Sequence, residues 1–183
     1  RVSLRQAAVS RDPTVDAVRE ATALALVCAV VLGLGAGSVI ALATAAAALV
    51  AADDPVDHLE VIGRGRALPT SALPVVAAPT TAGTGSEVTA NAVVASPSDG
   101  VKVSVRGPTL LPVAAIVDPL LTVSCPRKVT AAAGLDAFTQ CLEPFVSPMA
   151  TPLTDGFART GLAAAGRSLR QAYSQGSDVD ARS

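Results

Sequence analysis

The chain has 183 residues, enough for one domain or for one domain and part of another. Lysine and arginine number 14 against 15 aspartates and glutamates, and a net charge of −1 gives no electrostatic case for nucleic acid or an anionic membrane. Aromatic residues make up only 2 %, which leaves the core to alanine, valine and leucine. The three cysteines (Cys28, Cys125, Cys141) form no CxxC pair and read as reduced thiols of a cytoplasmic protein. No cationic segment leads into a cleavable apolar one after Arg1, so no secretory signal is expected.

In chain order, Asp12 to Ala25 place Val15, Val18, Ala21 or Thr22, and Ala25 at helical spacing, with Pro13 suited to the first turn. From Ala21 to Ala52 there is no charge, and ~20 apolar residues would suffice to span a bilayer. The interior of this stretch argues against a span. Val27 to Leu32 is a β-branched run, and Gly33-Leu34-Gly35-Ala36-Gly37-Ser38 is a poor helix interior, each glycine costing ~1 kcal/mol against alanine. The expected parse is a strand, a glycine turn, then a helix from Ser38, its N-cap, through Val50. Asp53-Asp54-Pro55 ends that helix. His58 to Gly65 is a polar connector whose His58, the only histidine, is expected at the surface because no partner stands at metal-ligand spacing.

Leu73-Pro74-Val75-Val76-Ala77-Ala78 reads as a short buried strand. It runs into Pro79-Thr80-Thr81-Ala82-Gly83-Thr84-Gly85-Ser86-Glu87-Val88-Thr89, with four hydroxyls among Thr80, Thr81, Thr84 and Ser86, and two glycines. Glycine lets backbone approach a ligand, and hydroxyls and N–H groups bond phosphate or amide groups. Loops beyond strand carboxyl ends are where open α/β sheets bind ligands, although the same composition also builds a plain polar turn. Val88 to Ala95 and Lys102 to Arg106 flank Ser96-Pro97-Ser98-Asp99-Gly100, a hairpin signal, and Lys102 on its own reads as an exposed strand lysine. Val113 to Val117 reads as a buried strand stopped by Asp118-Pro119. From Pro126 the pattern turns helical, with Val129, Ala133, Ala137 and Cys141 every four residues. A second helix fits Pro152 to Tyr173, with Leu153, Phe157, Thr160, Leu162 or Ala164, and Leu169 inward, until Gln175-Gly176-Ser177-Asp178 breaks it.

Three of these stretches, from about Pro13 to Tyr173, resemble the iron-containing (group III) alcohol dehydrogenase family, which shares its fold with dehydroquinate synthase and glycerol dehydrogenase. Pro79 to Thr89 resembles the family's loop at the nicotinamide end of NAD(P). Gly35-Ala36-Gly37-Ser38 resembles its Gly-Gly-Gly-Ser pyrophosphate loop, with one glycine replaced by Ala36. Gly134-Leu135-Asp136-Ala137-Phe138-Thr139-Gln140-Cys141-Leu142-Glu143-Pro144-Phe145-Val146-Ser147 resembles the opening of its helical metal domain. The resemblance implies a partial α/β nucleotide-binding domain over residues 1–124 and the first helices of an all-α domain over 125–183, a dehydroquinate synthase-like fold in an internal fragment. It implies cofactor contacts at Gly35, Gly37, Ser38, Thr80, Thr81, Thr84, Ser86, Val88, Lys102, Leu121 and Thr122, for NAD or NADP. It also implies a metal aspartate at Asp136 with a histidine four residues on, on the same helix face.

This chain departs from the pattern at three positions. Ala41 and Thr44 stand where the family has an aspartate and a lysine, and Gln140 stands where it has the second metal ligand. An amide oxygen suits Ca²⁺ or Mg²⁺ better than Fe²⁺ or Zn²⁺, so Asp136 and Gln140 fall short of an iron or zinc site. The expected activity is hydride transfer between a small-molecule alcohol and its aldehyde or ketone, in a homo-oligomeric, cytoplasmic parent without membrane or nucleic-acid partners. The alternatives are a metal-independent maleylacetate-reductase-like enzyme and a non-catalytic remnant, and the truncated chain by itself is expected to be inactive.

Overall fold

The computed structural model describes residues 3–10 and 12–183, so the start of the expected first domain lies outside the described residues. They form two compact units: residues up to Ala78 with Ser86–Ile116, and Pro79–Gly85 with Val117–Ser183. The fold is a partial α/β domain followed by helices, as the sequence implies.

In the first unit, α1 spans Val15–Ala25. It starts later than expected because the residues before it are extended: Ala95 N–H donates to the Pro13 carbonyl at 2.8 Å, and Thr14 bridges Ala95. Thr14 then caps the helix, its Oγ1 accepting from Ala17 N–H at 3.1 Å. The expected inward residues Val15, Val18, Ala21, Thr22 and Ala25 are all buried.

Strand β1 covers Val31–Gly35 and helix α2 covers Gly37–Ala48. This corrects a strand expected over 27–32 and a glycine turn expected from Gly33. The glycines lie in the strand because α2 packs against it. A Cβ on Gly33 would come within 3.1 Å of Ala43 Cβ, and one on Gly35 within 2.7 Å of Val39 Cγ2. Ser38 is not the N-cap: extended Ala36 holds that position with no side-chain cap, and the helix stops at Ala48, short of Val50. Every residue from Ile40 to Ala48 is buried, as expected of a helix apolar all round, which packs against α1, β1 and a further strand, β3 (Asn91–Ser96). No helix among the described residues is long and apolar enough to cross a membrane.

Strand β2 (Val75–Pro79) lies between β1 and β5 (Ala114–Ala115) in a three-stranded sheet, parallel to β5 with Val76 opposite Ala114 and Ala77 opposite Ala115. The strand expected over 113–117 is thus only two residues long and exposed, since it is an edge strand. Flanking N–H bonds from Val113 to Val75 and from Ile116 to Ala77 extend its pairing. A separate antiparallel pair joins β3 to β4 (Val101–Arg106), from Asn91 opposite Arg106 to Ser96 opposite Val101. The hairpin expectation holds, but β3 starts at Asn91: Val88 ends a 3-10 turn, Ser86–Val88. Ala92, Val94, Val103 and Val105 face a core shared with Val18, Leu42, Leu49, Leu59 and Leu110.

The second unit is built on α3 (Arg127–Val146) and α4 (Pro152–Ser174). The inward face expected of α4 is wrong at three positions: Leu153 and Phe157 are 70 % and 71 % exposed and Thr160 is exposed too, whereas Ala158 and Ala172 are buried. The helices meet through small residues, which leaves no room for large ones. A Cβ on Gly134 would come within 2.1 Å of Leu169 Cδ1, and one on Gly161 within 2.4 Å of Cys141 Sγ. Arg127 ties the ends, donating from Nε to the Tyr173 carbonyl at 2.9 Å and from Nη2 to the Ser174 carbonyl at 3.0 Å.

Candidate functional site

Two segments of the first unit carry residues expected at a cofactor. The turn from β1 into α2 presents half-buried Gly35, Gly37 and Ser38, and the first amide bonds of α2 run from Val39 and Ile40 to the Ala36 carbonyl. A helix N-terminus without a side-chain cap offers backbone N–H groups and a positive dipole end to an anion. The 3-10 turn holding Ser86 and Val88 packs against α2, so those residues share a neighbourhood with that helix. Val88 is 66 % exposed.

Lys102 lies on β4. Its Nζ pairs with Asp12 Oδ2 at 2.5 Å while the side chain stays 62 % exposed. Ala41 and Thr44, the two departures from the family's charged positions, are 8 % and 2 % exposed. Thr44 Oγ1 bonds back to the Ile40 and Ala41 carbonyls at 3.1 and 3.2 Å, so both positions serve the core of α2. His58, expected at the surface, is half-buried: it closes a 3-10 turn, and its Nδ1 lies 3.2 Å from the Arg66 carbonyl oxygen.

In the second unit the loop Pro79–Gly85 is shaped by its glycines. Gly85 has φ 63°, a left-handed conformation that favours glycine. A Cβ on Gly83 would come within 2.7 Å of the Ala133 carbonyl oxygen, so the loop lies directly on α3. Thr81 and Thr122 line one cavity of about 260 Å³ beside α3 and α4. Thr122 is buried, and its hydroxyl donates to the Pro119 carbonyl at 2.8 Å. Leu121 belongs to the same 3-10 turn, Pro119–Thr122, capped by Asp118 accepting from Leu120 N–H at 2.9 Å.

Asp136 and Gln140 lie one turn apart on α3 and do not line that cavity. Among the described residues no three His, Cys, Asp or Glu side chains come together as a metal-binding group. A carboxylate and an amide do not make the donor set of a catalytic iron or zinc centre, which takes three protein ligands. The sequence reading missed the other side chains of the cavity, including Cys125, Cys141 and Arg182. Their signal is the run of small residues on facing helices, Ala133, Ala137 and Cys141 against Gly161, Ala165 and Ala172.

A short parallel sheet backed by helices, a glycine turn into an apolar helix, and a hydroxyl-rich loop before a helical pair define a partial α/β domain followed by opening helices of an all-α domain. Residues 3–119 match the family described as iron-containing alcohol dehydrogenase, and residues 130–183 match the C-terminal region of the Fe-containing alcohol dehydrogenase family. The chain belongs to the iron-containing alcohol dehydrogenase family. It is 46 % identical over 153 residues to long-chain-alcohol dehydrogenase 1 of Geobacillus thermodenitrificans, covering 83 % of this chain and 38 % of that protein. It is 35 % identical over 173 residues to sulfoacetaldehyde reductase of Bilophila wadsworthia, covering 93 % and 44 %. The structure of sulfoacetaldehyde reductase from Bifidobacterium kashiwanohense in complex with NAD+ superposes with a TM-score of 0.90 at 34 % identity, over 94 % of this chain and 46 % of that one. The chain thus spans less than half the length of these relatives.

Proposed function

We propose that the protein containing this chain transfers a hydride between a small alcohol and its aldehyde or ketone, with NAD or NADP. The observation that supports this best is the segment Pro79–Thr89, where β2 runs out into a loop seated on α3 by Gly83 and turned by Gly85. The dinucleotide, when bound, accepts or donates the hydride. The uncapped start of α2 suits it: the Gly37 and Ser38 backbone N–H groups would hold the pyrophosphate, beside Gly35. Thr80, Thr81, Thr84, Ser86, Val88, Leu121 and Thr122 would contact the nicotinamide end. Lys102, held by Asp12, serves the ribose. No side chain is assigned to proton transfer.

Iron or zinc does not fit the residues present, Asp136 and Gln140, and no step is routed through a metal. Gln140 therefore favours a second reading, a maleylacetate-reductase-like enzyme that reduces an enol-type substrate without metal. The reading carries with it a homo-oligomeric, cytoplasmic parent, and the 183-residue chain alone is expected to lack turnover. The test is NADH formation from a series of primary alcohols by the parent, beside a fluorescence titration with NADH. Saturable binding weakened about tenfold or more by Gly37→Val is expected, because a side chain at the helix start blocks the phosphate. A parent with neither turnover nor saturable nucleotide binding overturns the proposal. Turnover that survives chelation selects the metal-free reading.

A further inference from the structure

The sequence carries the dipeptide Asp-Gly twice, and the fold puts the two copies in opposite settings. Asp99-Gly100 stands at the tip of the β3–β4 hairpin, in the loop 97–100 closed by Ser96 opposite Val101. Asp155-Gly156 stands in the first turns of α4. In such a pair the glycine amide nitrogen can add to Cγ of the aspartate side chain, water leaves, and a succinimide ring forms. Whether it does so is decided by what holds the amide and what polarises the carboxyl.

At the hairpin both groups are available. Gly100 is exposed at φ 67°, and a Cβ there would meet nothing within 4 Å, so no side chain crowds its position. Among the described residues no backbone hydrogen bond engages its N–H. Asp99 Oδ2 accepts from Ser96 Oγ at 2.5 Å and from Ser98 Oγ at 3.2 Å. Ser96 is buried, which fixes its hydroxyl. Two donors on the carboxyl stabilise the charge that gathers on oxygen as the nitrogen adds. In α4 the same reaction is closed. Asp155 N–H donates to the Thr151 carbonyl at 2.9 Å and the helical ladder runs on through Gly156, so a ring there requires the turn to open first.

We propose that Asp99-Gly100 is a self-modification site that converts through the succinimide to an isoaspartyl link, while Asp155-Gly156 stays intact in folded α4. The Gly100 N–Cγ bond forms and one Cγ–O bond breaks. That oxygen leaves as water, with the amide proton and one proton from solvent, and no oxidant or reductant takes part. Water then reopens the ring. Attack at the Asp99 main-chain carbonyl leaves the chain running through Cγ, one carbon longer. The added carbon lies inside the loop, where it breaks the Ser96–Asp99 contact and slackens the closing pair Ser96–Val101. The site goes beyond the dehydrogenase reading and needs neither nucleotide nor turnover.

The experiment is incubation of the folded chain near neutral pH in heavy-oxygen water, then tryptic digestion in ordinary water and mass spectrometry of peptides 67–102 and 129–159. Heavy oxygen and an isoaspartyl form should accumulate in the first peptide about tenfold or more faster than in the second, because the helix must first give up a backbone hydrogen bond. Asp99→Glu should stop the reaction, and Asp99→Asn should form the same ring with loss of ammonia in place of water. Ser96→Ala should slow it about threefold or more, the worth of one hydrogen bond. Guanidinium, which unfolds both elements, should bring the two peptides to similar rates. Circular dichroism checks the fold of each variant; if Ser96→Ala does not fold, the ratio on the unaltered chain and its collapse in guanidinium decide. Equal rates in the folded chain, no label in peptide 67–102, an unchanged rate in folded Ser96→Ala, or a difference that survives in guanidinium overturns the proposal.

Discussion

Val61 sits at φ 68°, in the left-handed region where a β-branched side chain is strained. It is 87 % exposed, so little burial compensates. Replacing Val61→Asn, a residue that tolerates this backbone, should stabilise the fold by about 1 kcal/mol in a urea melt. A loss of stability would show that the valine makes contacts worth more than its strain. Asp54 is a second legible residue. Its carboxyl is held below the ordinary range chiefly by accepting from Val56 N–H at 3.1 Å; desolvation opposes this, and Arg19 at 3.2 Å adds to the lowering. A group whose folded pKa is depressed stabilises the fold above its unfolded pKa and loses that contribution as pH falls through the folded value. Thermal melts taken from neutral pH into the acid range should therefore fall more steeply for the unaltered chain than for Asp54→Asn. Parallel pH profiles would remove Asp54 from the acid response. The contribution is small, because both partners are about half exposed.

Elements were legible where periodicity and packing agree. The face of α1 followed from Val15, Val18, Ala21 and Ala25, and the β3–β4 hairpin from Asp99-Gly100 between β-branched runs. The reading failed where glycine served packing. Gly33 and Gly35 look like a turn in sequence, but they lie in β1 because α2 comes too close for a Cβ. A pattern of types cannot carry that distance. The same reason accounts for α4, where Leu153 and Phe157 have the spacing of a core face but the helix crossing is built from alanine and glycine. Its start, by contrast, is set by local chemistry. Thr151 Oγ1 accepts from Thr154 N–H at 3.2 Å and Thr154 Oγ1 accepts from Thr151 N–H at 2.8 Å, a capping box with threonine at both ends. Thr151→Ala should cost ~1 kcal/mol by chemical denaturation. An unchanged midpoint would mean that Pro152 and the contacts of Ala158 hold the helix end without the cap.

At the scale of the whole molecule, membership of the family is one matter and metal binding at Asp136 and Gln140 is another, to be tested by itself. The sequence carried the family through the Pro79–Thr89 loop and the Gly35–Ser38 turn, whereas the candidate site residues rest on that resemblance. The structure adds that Ala41 and Thr44 are core positions in α2, so no charge is hidden there. For metal the decisive pair is Asp136 and Gln140 on α3. The chain should carry no stoichiometric iron or zinc by elemental analysis, since one carboxylate and one amide compete poorly with water and buffer. Gln140→His should not by itself restore tight binding, because two ligands of a site that needs at least three leave most of the coordination sphere to solvent. Made in the parent protein, the same substitution should raise Zn²⁺ affinity if further histidines complete the set, because positions four apart on a helix already face one way. Tight Zn²⁺ binding by the unaltered chain would reverse the reading of Gln140 as a lost ligand. Hydride transfer by a parent that binds no metal in either form would instead assign the chain to the metal-independent branch.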